Sequence, residues 1–137
     1  MTGEELAAQA MALVGAPFRL HGRDPATGLD CVGVLAAALA ACGTTARLPG
    51  GYVLRNRILP ELGEYVDGNG FAPVAGPFAA GDVALVRAGP CQFHLLIAAG
   101  NENFVHAHAG LRQVICGEFP AEWPVLQHWR IAAEIKE

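Results

Sequence analysis

Gly28-Leu29-Asp30-Cys31-Val32-Gly33-Val34-Leu35-Ala36-Ala37-Ala38-Leu39 is the stretch on which the fold turns. Its first residues read as a loop, and the rest is apolar on nearly every helical face. A helix of that kind belongs at the centre of a domain. It starts at Asp30–Cys31 and is expected to end at Gly43. Cys31 therefore stands where backbone amides have no intrahelical partner and the helix dipole favours negative charge. A thiolate is stabilised there, and the same amides suit an oxyanion. A buried structural cysteine is the competing reading of this position.

Upstream, Thr2 and Glu5 have capping-box spacing. Leu6, Ala10, Leu13 and Val14 form an apolar stripe behind them, and Gly15 and Pro17 end this first helix. A Gly-, Pro-, Asp- and Arg-rich loop covers 18–29. A helix over Arg55–Glu64 is plausible, with Arg55 and Arg57 on its solvated face, and loops follow around Pro73 and Pro77. Beyond it the pattern becomes strand-like: Asp82–Arg87, Phe93–Ala99, Asn103–Ala107, Gln113–Cys116 and Trp129–Ile135, separated by turns such as Gly100-Asn101. Helices first and clustered strands later predict an α+β domain with an antiparallel sheet. Trp123 and Trp129 read as core or edge packing.

The chain has 137 residues, 53% of them hydrophobic and 16% charged, which suits one domain over 1–137 with a single core. The net charge is −4 and the basic residues are scattered, so nucleic acid is not an expected partner. The longest greasy run, Val32 to Cys42, is about a dozen residues and too short to span a bilayer. The N-terminus does not read as a signal peptide, which points to residence in the cytoplasm until delivery elsewhere. Cys31, Cys42, Cys91 and Cys116 are irregularly spaced and are expected to be reduced thiols. On one helix, Cys31 and Cys42 would sit about three turns apart, beyond disulfide reach.

Gln92-Phe93-His94-Leu95-Leu96-Ile97 sets a histidine at the head of an apolar strand, either as a satisfied core residue or as a general base. A tight turn at Gly100-Asn101 folds the following strand back, so His106, with His108 on the same face, can approach His94.

The residues Gly15-Ala16-Pro17-Phe18-Arg19-Leu20-His21-Gly22 and Gly28-Leu29-Asp30-Cys31-Val32-Gly33 resemble the nucleophile segment of the NlpC family of papain-like cell-wall peptidases. Ala80-Gly81-Asp82-Val83-Ala84-Leu85, His94-Leu95-Leu96-Ile97-Ala98-Ala99-Gly100 and Phe104-Val105-His106-Ala107 resemble that family's later strands, in the same order. The resemblance implies a papain-like fold, with the nucleophile at the start of a buried central helix packed on a C-terminal antiparallel sheet. It also implies Cys31 as nucleophile, His94 as base and His106 as the group orienting the imidazole, with no cofactor or metal. The substrate would be an amide bond in peptidoglycan stem peptides. Asp30 caps the helix or meets the substrate's amine, while Phe18 and His21 lie along the substrate cleft. Phe18 replaces the family's usual tyrosine, Val32 its usual serine and His21 a common glycine. Gly22, Gly28 and Gly33 serve turns and close helix packing. Compact members of this kind also occur in phage tails and gene-transfer particles.

Two other functions fit the residues. Cys91, His94, His106, His108 and Cys116 are a possible zinc ligand set, though not at a recognised finger spacing. The loss of the tyrosine hydroxyl at Phe18 suits a catalytically weak structural module of a phage-tail-like particle. On the enzyme reading, Cys31 is expected to be the most reactive of the thiols.

Overall fold

The computed structural model describes residues 1–45, 65–89, 92–118 and 120–132. The Arg55–Glu64 helix, Arg55, Arg57 and Cys91 lie outside these residues. So does the end of the strand expected to run to Ile135.

Helix α1 (Gly3–Met11) begins at the expected capping box. The Glu5 amide donates to Thr2 Oγ1 at 3.1 Å, and the Thr2 amide donates to Glu5 Oε1 at 2.9 Å. Leu6 and Ala10 are buried. Leu13 and Val14 fall in the turns after the helix, so the helix is shorter than its apolar stripe. Helix α2 (Cys31–Ala41) starts and stops where its sequence sets it, with Asp30 as N-cap and Gly43 at φ 89° beyond its end. Cys31, Val32, Gly33, Val34, Leu35, Ala38 and Leu39 are all buried, as a helix apolar on every side requires.

Two short strands, β1 (Arg23–Asp24) and β2 (Gly28–Leu29), form a small antiparallel ribbon within the loop before α2. This ribbon lies directly on the helix. A Cβ on Gly33 would collide with the Gly22 carbonyl oxygen, and one on Gly22 would collide with the Gly28 carbonyl.

The remaining strands are β3 (Phe71–Pro73), β4 (Val83–Gly89), β5 (Gln92–Gly100), β6 (Asn103–His108), β7 (Gln113–Gly117) and β8 (Val125–Ile131). They make a six-stranded antiparallel sheet in the order β3-β8-β4-β5-β6-β7. The α+β class is as the sequence predicts. Two details differ. Pro73 belongs to an edge strand and not to a loop, because its missing N–H costs nothing on an edge. The last strand begins at Val125, since Leu126 and Trp129 both fill the helix-side core.

Strand alternation divides the sheet into two faces. Val83, Leu85, Leu95, Ile97, Val105, Ala107 and Trp129 pack against the helices. Ala84, Val86, Leu96, Ala98 and Phe104 form a second small core on the outer face, covered by Phe78 and Trp123. Among the described residues no helix is long and apolar enough to cross a membrane.

Candidate active site

Asp30 organises the loop that presents Cys31. Its Oδ1 accepts the Gly33 amide at 2.8 Å, and its Oδ2 accepts the His21 amide at 2.7 Å. Arg23 Nη1 donates to Oδ1 at 3.3 Å. The carboxylate is wholly buried. Of its two expected roles, the structure places Asp30 in the capping one, beneath the nucleophile. His21 is exposed at φ 62° and pins the loop through its backbone. Phe18 is half-buried against the helix-side core, bridged to Leu29.

Pairing between β5 and β6 opens where the site lies. It runs from Gly100–Asn103 through Ala98–Phe104 to Ile97–Val105 and extends no further. The connecting turn has Asn101 and Glu102 at φ 54° and 65°, the double left-handed geometry favoured by tight hairpins. Beyond Ile97 the Leu95 amide is directed at the Cys31 sulfur, together with the amides of Val32 and Cys31 itself. The nucleophile thus enters the split from the helix side, one residue from His94.

His94 and His106 project to the outer face, with Leu96, Ala98 and Phe104. Their rings meet around Trp123. The indole stacks on His94 with centroids 5.8 Å apart and planes 9° apart, and it meets His106 edge-on at 6.2 Å and 81°. His106 and His108 rings lie 5.9 Å apart, so the two do share a face. The expected orienting hydrogen bond is not made: His94 Nδ1 and both nitrogens of His106 are buried without a partner. That unpaired Nδ1 also means Cys31 and His94 are not hydrogen-bonded in this resting form. Bonds of this kind commonly tighten only when substrate is present. His108 is engaged elsewhere, its Nδ1 accepting the Leu111 amide at 3.0 Å.

Electrostatics set the protonation state. Burial pushes the Cys31 thiol up to about 12 and the Asp30 charge adds to this, while the three amides pull the other way. Burial, with His108 nearby, lowers His94, and burial with His94 and His108 holds His106 down at about 4. The helix terminus does not win: a thiol only 2% exposed loses more from desolvation than the amides return. Thiol and imidazole are therefore both neutral at rest, contrary to the thiolate expected from Cys31's position.

Sequence reasoning passed over two neighbours. Trp123 looked like ordinary packing. Tyr65 is 5% exposed with an unpartnered hydroxyl, raised to about 12 by burial, with Arg23 opposing and the Cys31 and Asp30 charges adding. Neither has a sequence signal that would separate it from a core aromatic. The Gly81-Asp82 signature has a structural role. A Cβ on Gly81 would collide with Gly3, and Asp82 accepts from the Ala79 amide and Arg130 and pairs with His128 Nε2 at 2.6 Å. Burial raises that carboxyl, but the Arg130 and Ala79 bonds and His128 outweigh it and hold it low.

Among the described residues Cys31, Cys42 and Cys116 are free thiols. No group of three or more His, Cys, Asp or Glu among the described residues could hold a metal ion, and Cys91 of the possible zinc set lies outside them.

A cysteine heading a buried helix against an antiparallel sheet with histidines at its split defines the papain-like α+β class. Within that class the fold is that of the NlpC/p60 domains, and the family resemblance read from the sequence holds. NlpC1 from Trichomonas vaginalis superposes with a TM-score of 0.71 at 20% identity, over 94% of this chain and 43% of its own length. The NlpC/p60 domain of the peptidoglycan hydrolase SagA gives 0.59 at 26% identity, over 86% of this chain and 90% of that domain. The P60 domain of an antigen from M. avium subspecies paratuberculosis gives 0.62 at 17%, over 94% and 93%. The chain thus spans less than half the length of the Trichomonas protein. No protein-family model and no curated protein matches it.

Proposed function

We propose that this domain is a cysteine peptidase that hydrolyses an amide bond in peptidoglycan stem peptides. The observation that carries this reading is the Cys31 sulfur, held at the head of α2 in the β5–β6 split and met by the Leu95, Val32 and Cys31 amides, one residue from His94. The likeness to a domain of a peptidoglycan hydrolase supports the substrate class.

The neutral pair defines the chemistry. As Cys31 attacks the carbonyl carbon, the thiol proton passes to His94, and the S–C bond forms. Backbone amides at the helix terminus stabilise the oxyanion. The intermediate collapses with cleavage of the C–N bond, and His94 returns the proton to the leaving amine. Water, deprotonated by the same imidazole, then cleaves the thioester and releases the acid. His106 is the proposed orienting residue, since His108 is held by its own turn.

Mass spectrometry of peptidoglycan fragments after incubation tests the proposal. New free amine and carboxyl ends should appear with the wild type and not with Cys31→Ala. Equal cleavage by both, or by neither, contradicts it.

A further inference from the structure

His94 has an exacting task and no hydrogen bond at Nδ1 to fix its ring. An imidazole free to turn about its side-chain torsions presents Nδ1 to the nucleophile only part of the time, and reaction rate falls steeply with such misplacement. What touches the ring is the indole of Trp123, nearly coplanar with it, while its edge fits against His106. The loop bearing Trp123 crosses the outer face between β7 and β8, and the indole packs on the Ala84, Val86, Leu96, Ala98 and Phe104 core. Its own position is thereby fixed by the sheet.

We propose that Trp123 is the positioning residue for the His94 base, its indole setting the plane of the imidazole and keeping water from its outer side. The aromatic face does for His94 what a hydrogen-bonding partner does in other triads. Stacking leaves Nδ1 unconstrained in charge, so it fits a base that starts neutral and becomes charged only during reaction. Desolvation by the indole also opposes early protonation, in line with the lowered His94 value. The titratable groups around His94 are His106 and His108 on β6 and Cys31 on α2. Its β4 partner Val86 is apolar, and Glu118 and Glu122 on the Trp123 loop are exposed.

This inference rests on the proposed role of His94, so its test has a readout besides activity. The His94 imidazole is titrated by NMR in the wild type, Trp123→Phe and Trp123→Leu, its signal assigned by its absence in His94→Gln. Leucine keeps apolar volume at a half-buried site, so the fold is retained, but it offers no stacking plane. In Trp123→Leu the His94 titration should move up toward the ordinary histidine value. The turnover number kcat should fall about tenfold to a hundredfold with little change in KM, and the acid limb of the rate profile should follow the titration. Trp123→Phe should restore most of both. A His94 titration identical in all three proteins overturns the inference. Activity surviving in Cys31→Ala would instead overturn the enzymatic reading, leaving the titration result to stand alone.

Discussion

At Cys31 and His94 two shifts point the same way: the thiol is raised to about 12 and the imidazole is lowered. The base form of His94 is the active one, so activity should be full at neutral pH and fall only as acid protonates the ring below its ordinary value. A pre-formed thiolate–imidazolium pair would instead lose activity on the alkaline side, as the imidazolium gives up its proton. A kcat/KM profile flat from neutral to moderately alkaline pH, with a solvent deuterium isotope effect, is the expected outcome. A bell centred near neutrality contradicts it. The same protonation state reverses the reactivity ranking that helix position alone suggests. In the resting protein Cys31 should alkylate with iodoacetamide more slowly than the half-buried Cys42 and Cys116, as peptide mapping would show. His94→Ala should lower the rate by roughly 10²- to 10⁴-fold. His106→Ala should cost more than His108→Ala, and the reverse order would reassign the orienting residue.

The head of α2 shows how tightly an element can be tied to its approach loop. Asp30→Ala removes the Gly33 cap and the His21 bond and should cost about 1–2 kcal/mol in urea unfolding. Asp30→Asn should keep most of that stability while removing a charge that raises Cys31, so the pH at which Cys31 alkylates should fall. Gly33→Ala must push the β1–β2 ribbon off the helix and should destabilise by about 1–3 kcal/mol. Much of this element was legible beforehand. The Thr2–Glu5 box, the Asp30–Cys31 start and the Gly43 stop are local signals read within a single turn of chain. Alternation located four of the strands closely, because one face of the sheet meets a dense core. The β1–β2 ribbon and β3 were not legible, since strands of two or three residues show no period and are set by what they pack on. The site divides in the same way. Cys31, His94 and His106 stand in motifs, whereas Trp123 and Tyr65 reach the site through tertiary packing alone.

For the molecule as a whole, burying a neutral histidine cluster links stability to pH. His106 is held at about 4 in the native state and titrates near its ordinary 6.5 when unfolded. Its folded value is depressed, so its contribution is present above about 6.5 and is lost as pH falls toward about 4. The loss amounts to about 3 kcal/mol at most. Urea midpoints of wild type and His106→Gln at pH 7 and pH 4.5 should therefore shift in favour of the variant on acidification; a difference independent of pH would show that His106 does not titrate in this way. Packing organises the chemistry at this scale too, since one sheet carries the helix core on one face and the histidine–tryptophan cluster on the other, joined at the β5–β6 split. The central claim is that acyl transfer passes through Cys31. Its most direct test is the intact mass of the protein quenched in acid during turnover of a muropeptide, followed by peptide mapping. The account predicts a thioester adduct of the acyl fragment on the peptide containing Cys31, released by hydroxylamine and absent in Cys31→Ser. Turnover without any adduct on Cys31, or an adduct on Cys42 or Cys116, would contradict it.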